Sequence, residues 1–167
     1  IGDRFFTTIA SLGFDTAVAQ ATRAHPSRLG GTAAYALAML RTLMRYRCPQ
    51  VKLTGDFGTF EGRILLVATA NTPYYGSGIQ IVPSAVVDDG VLDVCIVTAL
   101  PRRTILRLFS KVYSGSHVGY SAVQMVRTKT LKIESEDSLW LFADGEPMCE
   151  IPSTIGIAPG ALRVKVT

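Results

Sequence analysis

The sequence predicts an α+β domain, mainly an antiparallel β-sandwich with about three helices. Three observations lead there. Turn signals built from Gly, Pro and Asp recur about every ten residues along much of the chain, as in all-β domains. Alternating apolar and polar residues dominate the second half, and helical spacing is confined to a few segments grouped apart from the strands. A doubly wound parallel sheet would instead alternate strand and helix throughout.

Taken in order, residues 15–24 open a first helix with Asp15 or Thr16 as its cap, and His25-Pro26 ends it, because the residue before proline is pushed out of the helical region. From Thr32 to Tyr46 the apolar positions Ala36, Met39, Leu40, Leu43 and Met44 recur at helical spacing, bounded by Gly30-Gly31 and Pro49. The segment 51–57 and the run Gly62–Ala70 then read as a hairpin turning at Gly58-Thr59. A Pro- and Gly-rich loop, Asn71–Gly78, leads to a turn at Asp88-Asp89-Gly90 and the strand Leu92–Val97. Pro101 opens a third helix to Tyr113, with Ile105, Leu106, Leu108, Phe109 and Val112 on its inner side. Strands follow at Val123–Glu134, Leu139–Ala143, Thr154–Ala158 and Leu162–Val166, with turns at Asp144-Gly145-Glu146 and Pro159-Gly160.

The composition narrows the classes of function. With 167 residues, 48% hydrophobic and 18% charged, the chain fits one globular domain and excludes disordered or fibrous types. No window approaches the roughly 18 uninterrupted apolar residues of a membrane span. Cys48, Cys95 and Cys149 form no CxxC pair, which argues against a disulfide framework or a zinc site and for a reducing cytoplasm. A net charge of +4 without a basic, aromatic-interleaved run gives no case for nucleic acid. The chain starts at Ile1 rather than Met and reads as a piece of something longer.

Chemistry points to the acids. Asp88, Asp89 and Asp93 fall within six residues, and Asp144 and Glu146 flank Gly145. Carboxylates so close repel unless a proton or cation offsets them, and a hard ion such as Mg²⁺ suits one carboxylate, turn carbonyls and water. Both bends also make sense as plain hairpin turns facing water. A carboxylate beside glycine, leaving the apolar strand LWLFA, is well placed for a rigidly held, accessible general base. His25 and His117 are too far apart to suggest a site, and no GxSxG elbow or P-loop lysine is present. Arg103, Arg107 and Lys111 make one stripe on the third helix, either a solvated face or a contact for phospholipid head groups or an acidic partner.

Together, Asn71–Gly78 (NTPYYGSG), Ile81–Ala85 (IVPSA), Asp88–Val94 (DDGVLDV) and the Asp144-Gly145-Glu146 turn resemble the C-terminal domain of the bacterial diacylglycerol kinase family. These are soluble lipid kinases related to sphingosine and ceramide kinases. Thr8–Ala17 (TIASLGFDTA) resembles the opening of the same domain, so the likeness covers residues 1–167. The resemblance implies a β-sandwich shared with NAD kinases, joined to an N-terminal nucleotide-binding domain whose GGDGT loop is absent from this sequence. It implies Glu146 as proton acceptor with Asp144 orienting the loop or helping to hold a metal. It implies a Mg²⁺ site at Asp89 and the main-chain carbonyls of Val86 and Val91, and ATP as phosphate donor. Ser77 departs from the family's usual glycine.

The expected function is therefore the lipid-side half of an ATP-dependent kinase for diacylglycerol or a related lipid, inactive without its own N-terminal domain. Such a protein is expected in the cytoplasm, with peripheral contact at the inner membrane surface, and a homodimer is left open. The alternative is a non-catalytic lipid-binding or regulatory module of the same fold. A hydrolytic pairing of Asp89 with Glu146 is a third reading, without an aromatic sugar platform to support it.

Overall fold

A computed structural model describes residues 1–24, 31–74, 76, 78–163 and 165. The elements in chain order are β1 (Ile9–Gly13), α1 (Phe14–Ala24), α2 (Gly31–Arg45), β2 (Gln50–Gly55), β3 (Gly58–Ala70), β4 (Leu92–Thr98) and α3 (Arg102–Val112). A 3-10 turn (Ser116–Gly119) then leads to β5 (Val123–Thr128), β6 (Thr130–Glu134), β7 (Trp140–Ala143), β8 (Glu146–Glu150) and β9 (Ser153–Gly156). All pairings are antiparallel.

β3 is the hinge of the architecture. Its first half pairs with β2, which continues through β6 to β9. Its second half lies between β1 and β4, in a sheet ordered β8-β7-β1-β3-β4-β5. A bulge between Ile64 and Leu66 marks the transfer, and the extra residue resets which side chain faces which layer. Ile64 and Val67 enter the core between the two sheets, whereas Leu65, Leu66, Ala68 and Ala70 face the helices. β4, buried nearly throughout, divides likewise: Leu92, Val94 and Ile96 point into the sandwich, Cys95 and Val97 toward the helices. The predicted α+β sandwich with three helices is the fold observed, arranged as sheet, sheet and helical layer.

Several boundaries differ from expectation. β1 carries no alternation because both its faces are buried, and α1 begins at Phe14, ahead of both expected caps. Gly13 makes the turn instead, at φ +119°, with its N–H and C=O both bonded to the Thr16 hydroxyl. A side chain there would strike Leu65, whose carbonyl oxygen lies 2.6 Å from the position of a Cβ. The hairpin turns at Asp56-Phe57, since Gly55 pairs with Gly58.

The expected strand 123–134 is two strands in different sheets, broken at Lys129. Asp56 fixes the break: it accepts from the Lys129 N–H, and its own N–H donates to Thr128 Oγ1. Leu106 is 48% exposed and does not belong to the inner face of α3, which is made by Ile105, Leu108 and Val112. On α2, Leu43 is buried while Leu40 and Met44 lie outward. Leu162 and Arg163 are not in a strand. His25-Pro26, Ser77, Val164 and Val166 fall outside the described residues. No helix among the described residues is long and apolar enough to cross a membrane.

Candidate active site

Strand register brings both acidic bends to the same end of the first sheet. Asp93 on β4 pairs with Ala70 on β3, Ala70 pairs with Ile9 on β1, and the Asp144 N–H donates to the Ile9 carbonyl. Three strand spacings separate Asp93 from Asp144, about 14 Å across the sheet edge. Asn71, just past β3, completes this end: its N–H donates to the Thr8 carbonyl and its Nδ2 to the Thr7 carbonyl.

The Asp144-Gly145 turn joins β7 to β8, with both residues at positive φ (50° and 84°), the conformation that a two-residue hairpin demands and that Asp and Gly tolerate best. The Asp144 carboxylate is fully engaged. It accepts from the backbone N–H groups of Thr7 (2.8 Å), Thr8 (2.9 Å) and Ile9 (3.3 Å) and from both threonine hydroxyls. Partial burial pushes its pKa up, but the hydrogen bonds from Thr8 and Thr7 outweigh that and hold the carboxyl below its ordinary value. This geometry gives Asp144 a positioning task, clamping the turn to the strand entering β1.

Glu146, next along, is the exposed member, with 66% of its side chain open. Its Oε1 lies 3.0 Å from the guanidinium of Arg23, in the last turn of α1. The same guanidinium donates to the Gly145 carbonyl at 2.8 Å and sits 5.8 Å over the Phe142 ring. An exposed ion pair adds little stability, but three contacts from one side chain fix where the Glu146 carboxylate stands.

At the other bend, Asp89 accepts from the Val91 N–H at 3.1 Å and pairs with Arg127 on β5. The Arg127 Nε also lies 3.6 Å from Asp93, whose other carboxylate oxygen accepts from Ser84 at 3.2 Å. Two carboxylates thus share one guanidinium. Asp93 is buried, and its Oδ2 has no hydrogen-bond partner among the described residues. Asp88 faces solvent, as does Val86, while Val91 is half-buried. Among the described residues no three His, Cys, Asp or Glu side chains gather as metal ligands, so any ion here would lean on main-chain oxygens.

His117 is buried, its Nε2 2.9 Å from the Ile81 carbonyl oxygen, away from both bends. Arg103, Arg107 and Lys111 are exposed along α3. Sequence reasoning missed Arg23, Arg127 and the Thr7-Thr8 pair as partners of the acids. Only the threonines lay near a motif already singled out.

The chain matches the family model described as "YegS C-terminal NAD kinase beta sandwich-like domain" over residues 8–166. It is 36% identical to a "Diacylglycerol kinase" of Mycobacterium tuberculosis (strain H37Rv) over 165 residues, covering 97% of this chain and 52% of that protein. It is 31% identical to a "Probable lipid kinase YegS-like" of Xanthomonas oryzae pv. oryzae over 164 residues, covering 98% of this chain and 53% of that one. A solved structure of a candidate diacylglycerol kinase from Bacillus anthracis str. Sterne superposes with a TM-score of 0.65 at 25% identity, covering 93% of this chain and 51% of that chain. The chain therefore spans about half the length of the curated relatives it matches. With fold, register and family model in agreement, the chain belongs to the family of YegS C-terminal, NAD kinase-like β-sandwich domains.

Proposed function

We propose that this chain is the lipid-side domain of an ATP-dependent lipid kinase, acting on the hydroxyl of diacylglycerol or a related lipid together with an N-terminal nucleotide-binding domain. The observation that carries the reading is the Asp144-Gly145-Glu146 turn. Its first carboxylate is consumed in anchoring the turn, and its second is exposed and held by Arg23. The names of the relatives supply the reaction class.

In this reading the lipid hydroxyl gives its proton to Glu146 as its oxygen bonds to the γ-phosphorus of ATP and the bond from that phosphorus to the ADP oxygen breaks. Arg23 keeps the Glu146 carboxylate ionised and aimed, and Asp144 with Thr7 and Thr8 keeps the turn from shifting. The second bend suits a hard cation, because Asp89 and Asp93 share a single guanidinium and leave the Asp93 Oδ2 unpaired. Asp89, with the main-chain carbonyls of Val86 and Val91, would hold Mg²⁺ there. When bound, the ion supplies positive charge at the edge facing the phosphates. The basic stripe Arg103, Arg107 and Lys111 offers α3 to an anionic membrane surface.

The test is Glu146→Gln in the intact enzyme. Phosphate transfer to a panel of lipid alcohols should fall about 10²- to 10⁴-fold, the range of positioned acid–base help, with ATP affinity unchanged. Wild-type turnover in that variant would refute the role.

A further inference from the structure

α1 opens on a residue that the reading above leaves without a task. Asp15 stands at the second position of the helix, on the helical side of the first sheet. Beside it lies a cleft of about 570 Å³, partly open to solvent, between α1, α2, α3 and the segment around Ile79 and Ile81. That volume is within the roughly 300–1,000 Å³ typical of small-molecule sites. Phe14, Val18, Met39, Leu66, Phe109 and Val112 make most of the wall, and Asp15 is the charged residue in the lining.

Asp15 Oδ1 is buried and has no hydrogen-bond partner among the described residues. Burial pushes the carboxyl pKa up, against hydrogen bonds from Ser11 and from the backbone N–H groups of Thr16 and Asp15 itself. An unpaired carboxyl in apolar surroundings bears its desolvation cost with nothing in return. A leucine would fill the same space without that cost, so the group is one that a ligand would explain.

The surroundings select the ligand. A second anion would be repelled by Asp15, and a cation would surrender its hydration to apolar walls. A neutral hydroxyl on a hydrocarbon chain meets both conditions, with the chain against the wall and the O–H on the unpaired oxygen. Asp15 and Arg23 are eight residues apart, about 12 Å along the helix axis, so this cleft is separate from the Glu146 bend.

We propose that the cleft binds a single hydrocarbon chain bearing a hydroxyl group, whose O–H donates to Asp15 Oδ1. The proposal rests on the lipid-kinase reading only in expecting such a lipid to be at hand. Asp15 is then a specificity-determining residue for that lipid.

The experiment measures binding, not phosphate transfer, on the intact protein. A neutral fluorescent probe, N-phenyl-1-naphthylamine, is displaced by 1-decanol and by a chain of the same carbon count without a hydroxyl donor, 1-methoxynonane. The wild-type preference for the alcohol should drop about tenfold in Asp15→Leu, equivalent to about 1.4 kcal/mol, and survive in Asp15→Asn, whose side-chain oxygen still accepts. Asp15→Leu should also melt higher than wild type, which shows that lost selectivity is not lost folding. An unchanged preference in Asp15→Leu, or no displacement of the probe by either compound from wild type, overturns the proposal. Failure here leaves the Glu146 role standing, and a fully active Glu146→Gln enzyme leaves this binding result standing.

Discussion

The two faces of the first sheet are built to different standards. Between the sheets, Leu53, Val94, Ile96, Leu131, Ile133 and Ile155 are sealed in an apolar layer with no orphaned polar atom among the described residues. On the helical side lie the Asp15 cleft and a smaller void beside His117. The three buried side-chain atoms without a hydrogen-bond partner, Asp15 Oδ1, Asp93 Oδ2 and His117 Nδ1, are also on that side. Buried polar groups are normally paired, so their concentration on one face separates a layer that secures the fold from a layer with room for a ligand.

The sharpest break of this contrast is a pair of truncations. Leu53→Ala removes a wholly buried side chain from the closed layer and should cost about 4–5 kcal/mol, the upper part of the range for such changes. Leu66→Ala, beside voids that already exist, gives up fewer contacts and should cost nearer 2 kcal/mol. Chemical denaturation of both variants decides it, and equal losses would mean that the two faces are packed alike. Next in size is Asp144→Asn. It replaces an oxygen acceptor by an NH₂ donor where Thr7 and Thr8 already donate, and should cost about 1–3 kcal/mol. Its pH signature is specific. A carboxyl held below its ordinary pKa stabilises the fold above the unfolded value near 4, and that contribution disappears as pH falls through the folded value. Acid melting curves of wild type should show the loss, and those of Asp144→Asn should lack it.

How far these features were legible depends on whether their cause was local. Leu92–Val97 and Gly62–Ala70 announce themselves through consecutive β-branched and apolar residues, and Asp144-Gly145 carries its turn in its own side chains. β1 does not, because IASLG is short and buried on both faces. The sheet change at Lys129 is equally hidden, since the residue imposing it, Asp56, is 73 positions away. The site divides in the same way. The acids were visible as clustered Asp and Glu, but their partners Arg23 and Arg127 meet them only through tertiary pairing, Arg23 from 122 positions before Gly145. On α2, the spacing of Leu40 and Met44 fits a helix without saying that the core has room only for the adjacent Met39-Leu43 stripe.

The smallest effect tests the helical face through His117. Burial lowers its pKa, against the bond to the Ile81 carbonyl, which raises it. With Nε2–H donating to that carbonyl, Nδ1 is left as a bare acceptor against an apolar void. Because the folded value lies below the unfolded 6.5, the unfolded chain takes up a proton first as pH drops. Stability should therefore be intact above about pH 6.5 and decline below it, by no more than about 1 kcal/mol near pH 5.5 given a limit of 1.4 kcal/mol per pH unit. Asp15, with its raised pKa, works in the opposite direction as pH falls, so the wild-type curve alone mixes the two. The difference between wild type and His117→Gln isolates the histidine, since Asp15 is common to both. If that difference is flat between pH 7.5 and 5.5, His117 accepts its proton without opening the layer, and the helical face is looser than its burial indicates.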